Sequence, residues 1–215
     1  MGKRFWAAWI LGLSLVAGTA QAVQKDHPAA LDFAGHGASP QALTMARWIA
    51  GSEDARGKPF AIVDKKNAKI FVFGADARLV GAAPVLLGLA PGDHAIPGIG
   101  QRDLADILPS ERTTPAGRFE SEPGRNLTGE AVVWVDYDAG FAIHRVRPGA
   151  AEAARRQRLV SGIVGEHRVS YGCVVVGPAF YDGVVAPTLG RARGVVYVLP
   201  ETRSLGEVFS ASMAD

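Results

Sequence analysis

The 215-residue chain has a single cysteine, Cys173. An intrachain disulfide is therefore excluded. A thiolate zinc site has no supporting spacing, because neither CxxC nor HxxxH occurs. A surplus of one charge is also missing. Lys and Arg number 23 against 21 Asp and Glu, and the balance is even once Lys3 and Arg4 are set aside. Phosphate binding needs a cationic excess, so no nucleic-acid partner is expected. There is no internal repeat and no low-complexity tract. No cofactor motif stands out either: Gly98-Ile99-Gly100 lacks the third glycine and the helix context of a phosphate loop.

The amino terminus reads as an export signal over residues 1–22. Lys3 and Arg4 give the positive start, Phe5 to Val16 is mostly apolar, and Ala20-Gln21-Ala22 is a small-x-small cleavage pattern. The apolar stretch is short for a membrane span and is quickly followed by small and polar residues, so cleavage is the first reading and an uncleaved anchor the second. The expectation is a periplasmic or cell-envelope protein that starts near Val23, with no integral span after cleavage. What remains suffices for one domain with a real core.

Residues 23–57 read as a polar arm followed by a helix. Ser39-Pro40 supplies an N-cap and a first-turn proline, Ala42, Met45, Ala46 and Ile49 recur at helical spacing, and Gly51 ends the run. From Phe60 the period changes. Residues 60–64 and 69–73 form a hairpin around Lys65-Lys66-Asn67, and residues 79–88 continue as a third strand. A Gly/Pro-rich loop covers 91–100, and Leu104–Leu108 is a short helical turn. Further strands begin at Gly117 and cover 131–136 and 140–144, then 174–176 and 194–199. Helical stretches are expected over 150–159 and 178–185. The pattern predicts a mainly β, sandwich-like domain over 58–200 with a few peripheral helices, and a tail or short helix over 201–215.

An unpaired thiol in an exported chain has two explanations. It is a small buried hydrophobe, or it is a nucleophile served by a base. His144 closes the apolar run Phe141-Ala142-Ile143, where a strand would hold its ring rigidly. A neighbouring imidazole takes a thiol proton or stabilises the thiolate, so thiolate character at neutral pH is expected of a catalytic Cys173. Gly172 permits close backbone approach, and the amides of Gly172 and Cys173 are candidate oxyanion donors. Ser170 fixes the turn or positions substrate. His36, His94 and His167 are not spaced as a metal site and read as surface or loop residues. Asp93-His94, next to Gly98-Ile99-Gly100, reads as ordinary loop, with a border of the active-site cleft as the other reading. Trp134, Tyr137 and Phe141 read as core or cleft wall.

Ile143-His144 followed by Ser170-Tyr171-Gly172-Cys173-Val174 resembles the signature of the L,D-transpeptidase catalytic domain. Thr114-Pro115-Ala116-Gly117-Arg118-Phe119 is similar to that family's Thr-Pro-x-Gly-x-Phe, and the 61–73 hairpin to its opening hairpin. The resemblance spans about residues 60–200. It implies a β-rich domain acting on peptidoglycan stem peptides. Cys173 would attack the bond between the L-centre of meso-diaminopimelate and a terminal D-alanine, with His144 as base. The Arg145 carbonyl would orient the imidazole, and Gly172 and Cys173 would supply oxyanion amides. The acyl-enzyme would pass to an amine, or to water in a carboxypeptidase or endopeptidase. A non-catalytic peptidoglycan-binding module is the reading from another class.

Two positions depart from the signature. Tyr171 stands where a second histidine is common, which leaves His144 as the base. Val175 replaces a usual Arg or Asn. The interval between His144 and Ser170 is long and carries Arg145, Arg147, Arg155, Arg156, Arg158 and Arg168. It reads either as a lid attracting stem-peptide carboxylates, with Arg147, Arg168 and Trp134 as substrate contacts, or as a solvated helix and loop.

Overall fold

The computed structural model describes residues 1, 2 and 32–213. The export-signal reading of residues 1–22 and the start of the arm at residue 23 lie almost wholly outside the described residues. Among the described residues no helix is long and apolar enough to cross a membrane.

The architecture is mainly β. Strands β1 (Phe60–Asp64), β2 (Lys69–Phe73), β3 (Leu79–Pro84), β5 (Gly117–Arg125), β6 (Ala131–Asp136), β7 (Phe141–Arg145), β9 (Val174–Val176) and β10 (Gly194–Val198) make one sheet, in the order β3-β2-β1-β10-β5-β6-β7-β9. Strands β4 (Leu87–Gly88) and β8 (Arg168–Ser170) pair separately and in parallel. The β1–β10 and β7–β9 pairs are parallel, and the other neighbours in the large sheet are antiparallel.

Alternation along the strands explains why the sheet curls. Ala61, Val63, Ile70, Val72, Val196 and Val198 from one half share a single buried cluster with Val133, Val135, Phe141, Ile143, Val174 and Val176 from the other. The inner faces of the two halves thus meet, giving the expected sandwich-like core. Each fully buried aliphatic contributes about 1.5–3 kcal/mol.

The opposite face of β1, β2 and β10 is also covered. Phe60, Ile62, Phe71, Phe73, Val195 and Tyr197 pack with helix α1 (Pro40–Ser52) and with Phe209. Burial on both faces is why these strands read as unbroken apolar runs. α1 starts as the sequence implies: Ser39 Oγ accepts the Ala42 amide at 3.1 Å, and Ala42, Met45, Ala46 and Ile49 are buried. Phe33, from the segment read as a loose arm, is buried edge-on against Phe71 and Phe73.

The predicted strand over 79–88 is broken. β3 ends at Pro84, and the chain then crosses to the far end of the sheet. Leu86 and Val175 exchange backbone hydrogen bonds at 2.8 and 2.9 Å, and the Leu89 amide donates to the Ser170 carbonyl at 3.0 Å. The crossing ties both ends of the curled sheet together beside Cys173. The remaining helices are α2 (Glu152–Val160), α3 (Pro178–Phe180), which continues as a π-turn over Tyr181–Val185, and α4 (Leu205–Met213).

His167 is a correction to the sequence reading. It is buried, with Nδ1 2.9 Å from the Val85 carbonyl and Nε2 3.0 Å from the Ser161 carbonyl. It therefore ties the end of α2 to the crossing segment. Tyr137 is another correction. It is 69% exposed, edge-on to Trp134 rather than in the core.

Candidate active site

The β7–β9 ladder sets the relation between the two reactive side chains. Ile143 pairs with Val174 and His144 with Val175. Paired residues on adjacent strands project to one face. Cys173 precedes Val175 by two residues and packs with Val175, Leu86 and Val146. It therefore shares the face of His144, as its diagonal neighbour. Both residues line one cavity of about 530 Å³.

The tautomer of His144 follows from its contacts. Nδ1 lies 2.8 Å from the Arg145 carbonyl, which can only accept, so Nδ1 carries the proton and Nε2 is left as the basic nitrogen. The Arg145 carbonyl is thus placed as expected. The Arg145 guanidinium turns away to Asp182, at 2.6 Å. Burial pushes His144 down to about 4, opposed by the Arg145 hydrogen bond and assisted by the positive charges of Arg147 and Arg155.

Cys173 Sγ donates to the Gly140 carbonyl at 3.5 Å, and burial pushes its pKa up. No hydrogen bond joins Cys173 to His144 among the described residues. Both observations run against the expected thiolate character, and attack from the thiol form requires the proton to leave as the bond forms.

The loop carrying Cys173 is clamped. Ser170 Oγ donates to the Cys173 carbonyl at 2.7 Å and accepts the Gly172 amide at 3.1 Å. Of the two roles open to Ser170, the turn-fixing one is realised. The same contact corrects the oxyanion expectation for Gly172, whose N–H is engaged; the Cys173 amide is left without a protein acceptor among the described residues. Gly172 has φ +132°, and a Cβ there would meet the Thr113 carbonyl at 2.7 Å.

Thr114 is the functional residue that sequence reasoning passed over, although it opens the Thr-Pro-Ala-Gly-Arg-Phe block. Its hydroxyl donates to the Gly172 carbonyl and accepts the Gly88 amide. Its own carbonyl accepts Lys65 Nζ at 2.7 Å. Lys65, fully buried, also donates to Asp93 and to the Gly92 carbonyl. Asp93 in turn accepts the backbone amides of Glu201, Thr202 and Arg203. Asp93 is thus no ordinary loop residue but part of a buried ionic support behind the cysteine loop. Burial alone would raise its carboxyl; the bonds from Lys65, Thr202 and Glu201 prevail and hold it well below the usual range.

Arg147 and Trp134 line the cavity, as does Arg155. Arg168 does not: its guanidinium is bonded to Glu201 in the buried network, which corrects its reading as a substrate contact. Tyr171 stands at the cavity wall, 36% exposed, with the Arg112 guanidinium 4.1 Å from its ring centre. Val175 is buried in an apolar cluster with Leu86, Val146 and Leu159. The interval 146–167 is accordingly docked at Leu159 and His167.

No family model and no curated protein matches the chain. A solved structure from Clostridium acetobutylicum, titled as a fused Zn-dependent amidase/peptidase/peptidoglycan-binding domain-containing protein, is similar at 17% identity with a TM-score of 0.33. The similarity covers 66% of this chain and 51% of that one, so the chain spans about half the length of that structure.

Proposed function

We propose that the protein is an exported cysteine acyltransferase acting on peptidoglycan stem peptides, an L,D-transpeptidase. The observation that carries the reading is the placement of Cys173 and His144 on one face of the β7–β9 ladder, lining one cavity, with the Nδ1 proton held by the Arg145 carbonyl. The resemblance of the Ser170–Val174 and Thr114–Phe119 blocks to that family supplies the substrate class.

In the reaction, Cys173 Sγ attacks the carbonyl of the L-centre of diaminopimelate while its proton passes to His144 Nε2. The Cys173 amide, which has no protein acceptor among the described residues, donates to the resulting oxyanion. Collapse breaks the C–N bond. His144 returns the proton to the departing D-alanine amine, leaving a thioester. An acceptor amine then attacks the thioester and gives its proton to His144, which protonates the departing sulfur.

Incubating the purified protein with tetrapeptide muropeptides tests this by mass spectrometry. D-Alanine release and new cross-linked dimers are expected. Cys173→Ala should abolish both at an unchanged melting temperature. Turnover persisting in that variant would overturn the reading, and shortened monomers without dimers would assign hydrolysis instead.

A further inference from the structure

Among the described residues, the cavity is lined by three arginines, Arg102, Arg147 and Arg155, and by no aspartate or glutamate. The three differ in their neutralisation. Arg102 is gripped by both oxygens of Glu111, at 2.8 and 2.9 Å. Arg147 has a single contact at 3.2 Å to Glu130, which is not part of the lining. Arg155 makes no ion pair among the described residues, although its helix neighbours are engaged: Arg156 pairs with Glu152, and Arg158 donates to the Glu166 carbonyl.

The geometry of α2 explains why Arg155 alone enters the cavity. Residues four apart lie on one helix face. Leu159 is buried against Val175 and Leu86, so its face of α2 is turned to the sheet. Arg155, one turn earlier on that face, is half-buried in the cavity wall. The valine at 175 and the arginine at 155 are thus parts of one arrangement. The apolar side chain in β9 seats the helix, and the helix delivers the cation. His167 bonds fix the same segment from its other end.

We infer that Arg155, with Arg147 lining the same cavity, forms a carboxylate subsite that binds a free carboxylate of the acyl donor close to the bond Cys173 attacks. The inference rests on the acyl-transfer reading for its substrate class. An arginine fork matches a carboxylate geometrically, and a cavity free of acids leaves that cation unopposed. Of the free carboxylates of a stem tetrapeptide, two are carried by the residues that flank the attacked bond: the terminal D-alanine carboxylate and the carboxylate at the D-centre of diaminopimelate. Amidating either one separately tells them apart.

The test measures binding of three synthetic tetrapeptides to the full chain carrying Cys173→Ala: the free form and the two single amides. The free form should bind roughly tenfold or more tightly than one of the amides, as expected for a charge-assisted contact. That amide identifies the carboxylate. Arg155→Gln should erase the difference, and Arg155→Lys should restore part of it. A cation that served only to favour the thiolate would leave peptide binding to the Cys173→Ala chain unchanged. Equal binding of all three peptides, no binding of any, or discrimination that survives Arg155→Gln would overturn the subsite. Turnover by the wild-type chain is scored separately. Arg155-dependent binding without turnover keeps the subsite and removes acyl transfer; turnover without carboxylate discrimination does the reverse.

Discussion

The hydroxyl of Thr114 donates to the Gly172 carbonyl at 2.9 Å while it accepts the Gly88 amide at 2.8 Å. One buried side chain thus joins the loop before Cys173 to the strand beside it. Thr114→Val keeps the shape but leaves a buried amide and a buried carbonyl without their partner. An unsatisfied buried group costs about 1–3 kcal/mol. Denaturant melts should show a loss of that order. D-Alanine release should fall at least roughly tenfold, because catalysis is sensitive to small misplacement, and Thr114→Ser should retain most of both.

Behind Thr114, Lys65 and Asp93 form a fully buried pair 2.7 Å apart. Removing one partner of such a pair costs about 3–5 kcal/mol, since the other charge is left uncompensated. Lys65→Met should therefore destabilise the fold by that order. The pH dependence has a defined sign. The folded-state pKa of Asp93 is depressed, so its stabilisation is complete above the unfolded value of about 3.9 and is lost as pH falls below it. Thermal melts from pH 6 to pH 2 should show this decline in the wild type and a shallower one in Asp93→Asn.

Gly172→Ala tests the backbone of the cysteine loop. At φ +132° an L-residue is strained, and the added methyl meets the Thr113 carbonyl. A cost of about 1–3 kcal/mol is expected, with turnover falling further than stability, as read by parallel melts and rate measurements.

Much of this fold was legible in the sequence. Alternation and β-branched runs placed the hairpins, and Ser39-Pro40 placed α1. The break at Val85-Leu86 was not legible, because the residues stay apolar while the chain changes partners from β2 to β9. At the site, Cys173 and His144 could be named from local pattern, and the Arg145 carbonyl from the family resemblance. The buried pairing of Lys65 and Asp93 could not, since both lie in turn-like polar stretches and meet only through long-range topology. Arg168 looked like its arginine neighbours; only the fold directs it to Glu201 and Arg155 to the cavity.

His144 and Cys173 give a second pH window. Burial pushes His144 down to about 4, against about 6.5 when unfolded. Between those values the unfolded chain takes up a proton that the folded chain does not. Stability is therefore lost as pH falls from about 6.5 toward 4, and His144→Gln should flatten that slope. Alkylation of Cys173 by iodoacetamide should be slow at pH 7 and should accelerate above the ordinary thiol range, because burial raises the thiol's pKa.

Intact-protein mass spectrometry during turnover of a stem tetrapeptide addresses the chemistry most directly. The wild-type chain should carry an adduct of the peptide less D-alanine, mapped to Cys173. His144→Gln should slow its formation at least roughly a hundredfold, the scale of a general base. An adduct that forms as fast without the imidazole, or D-alanine release by Cys173→Ala, would contradict the account.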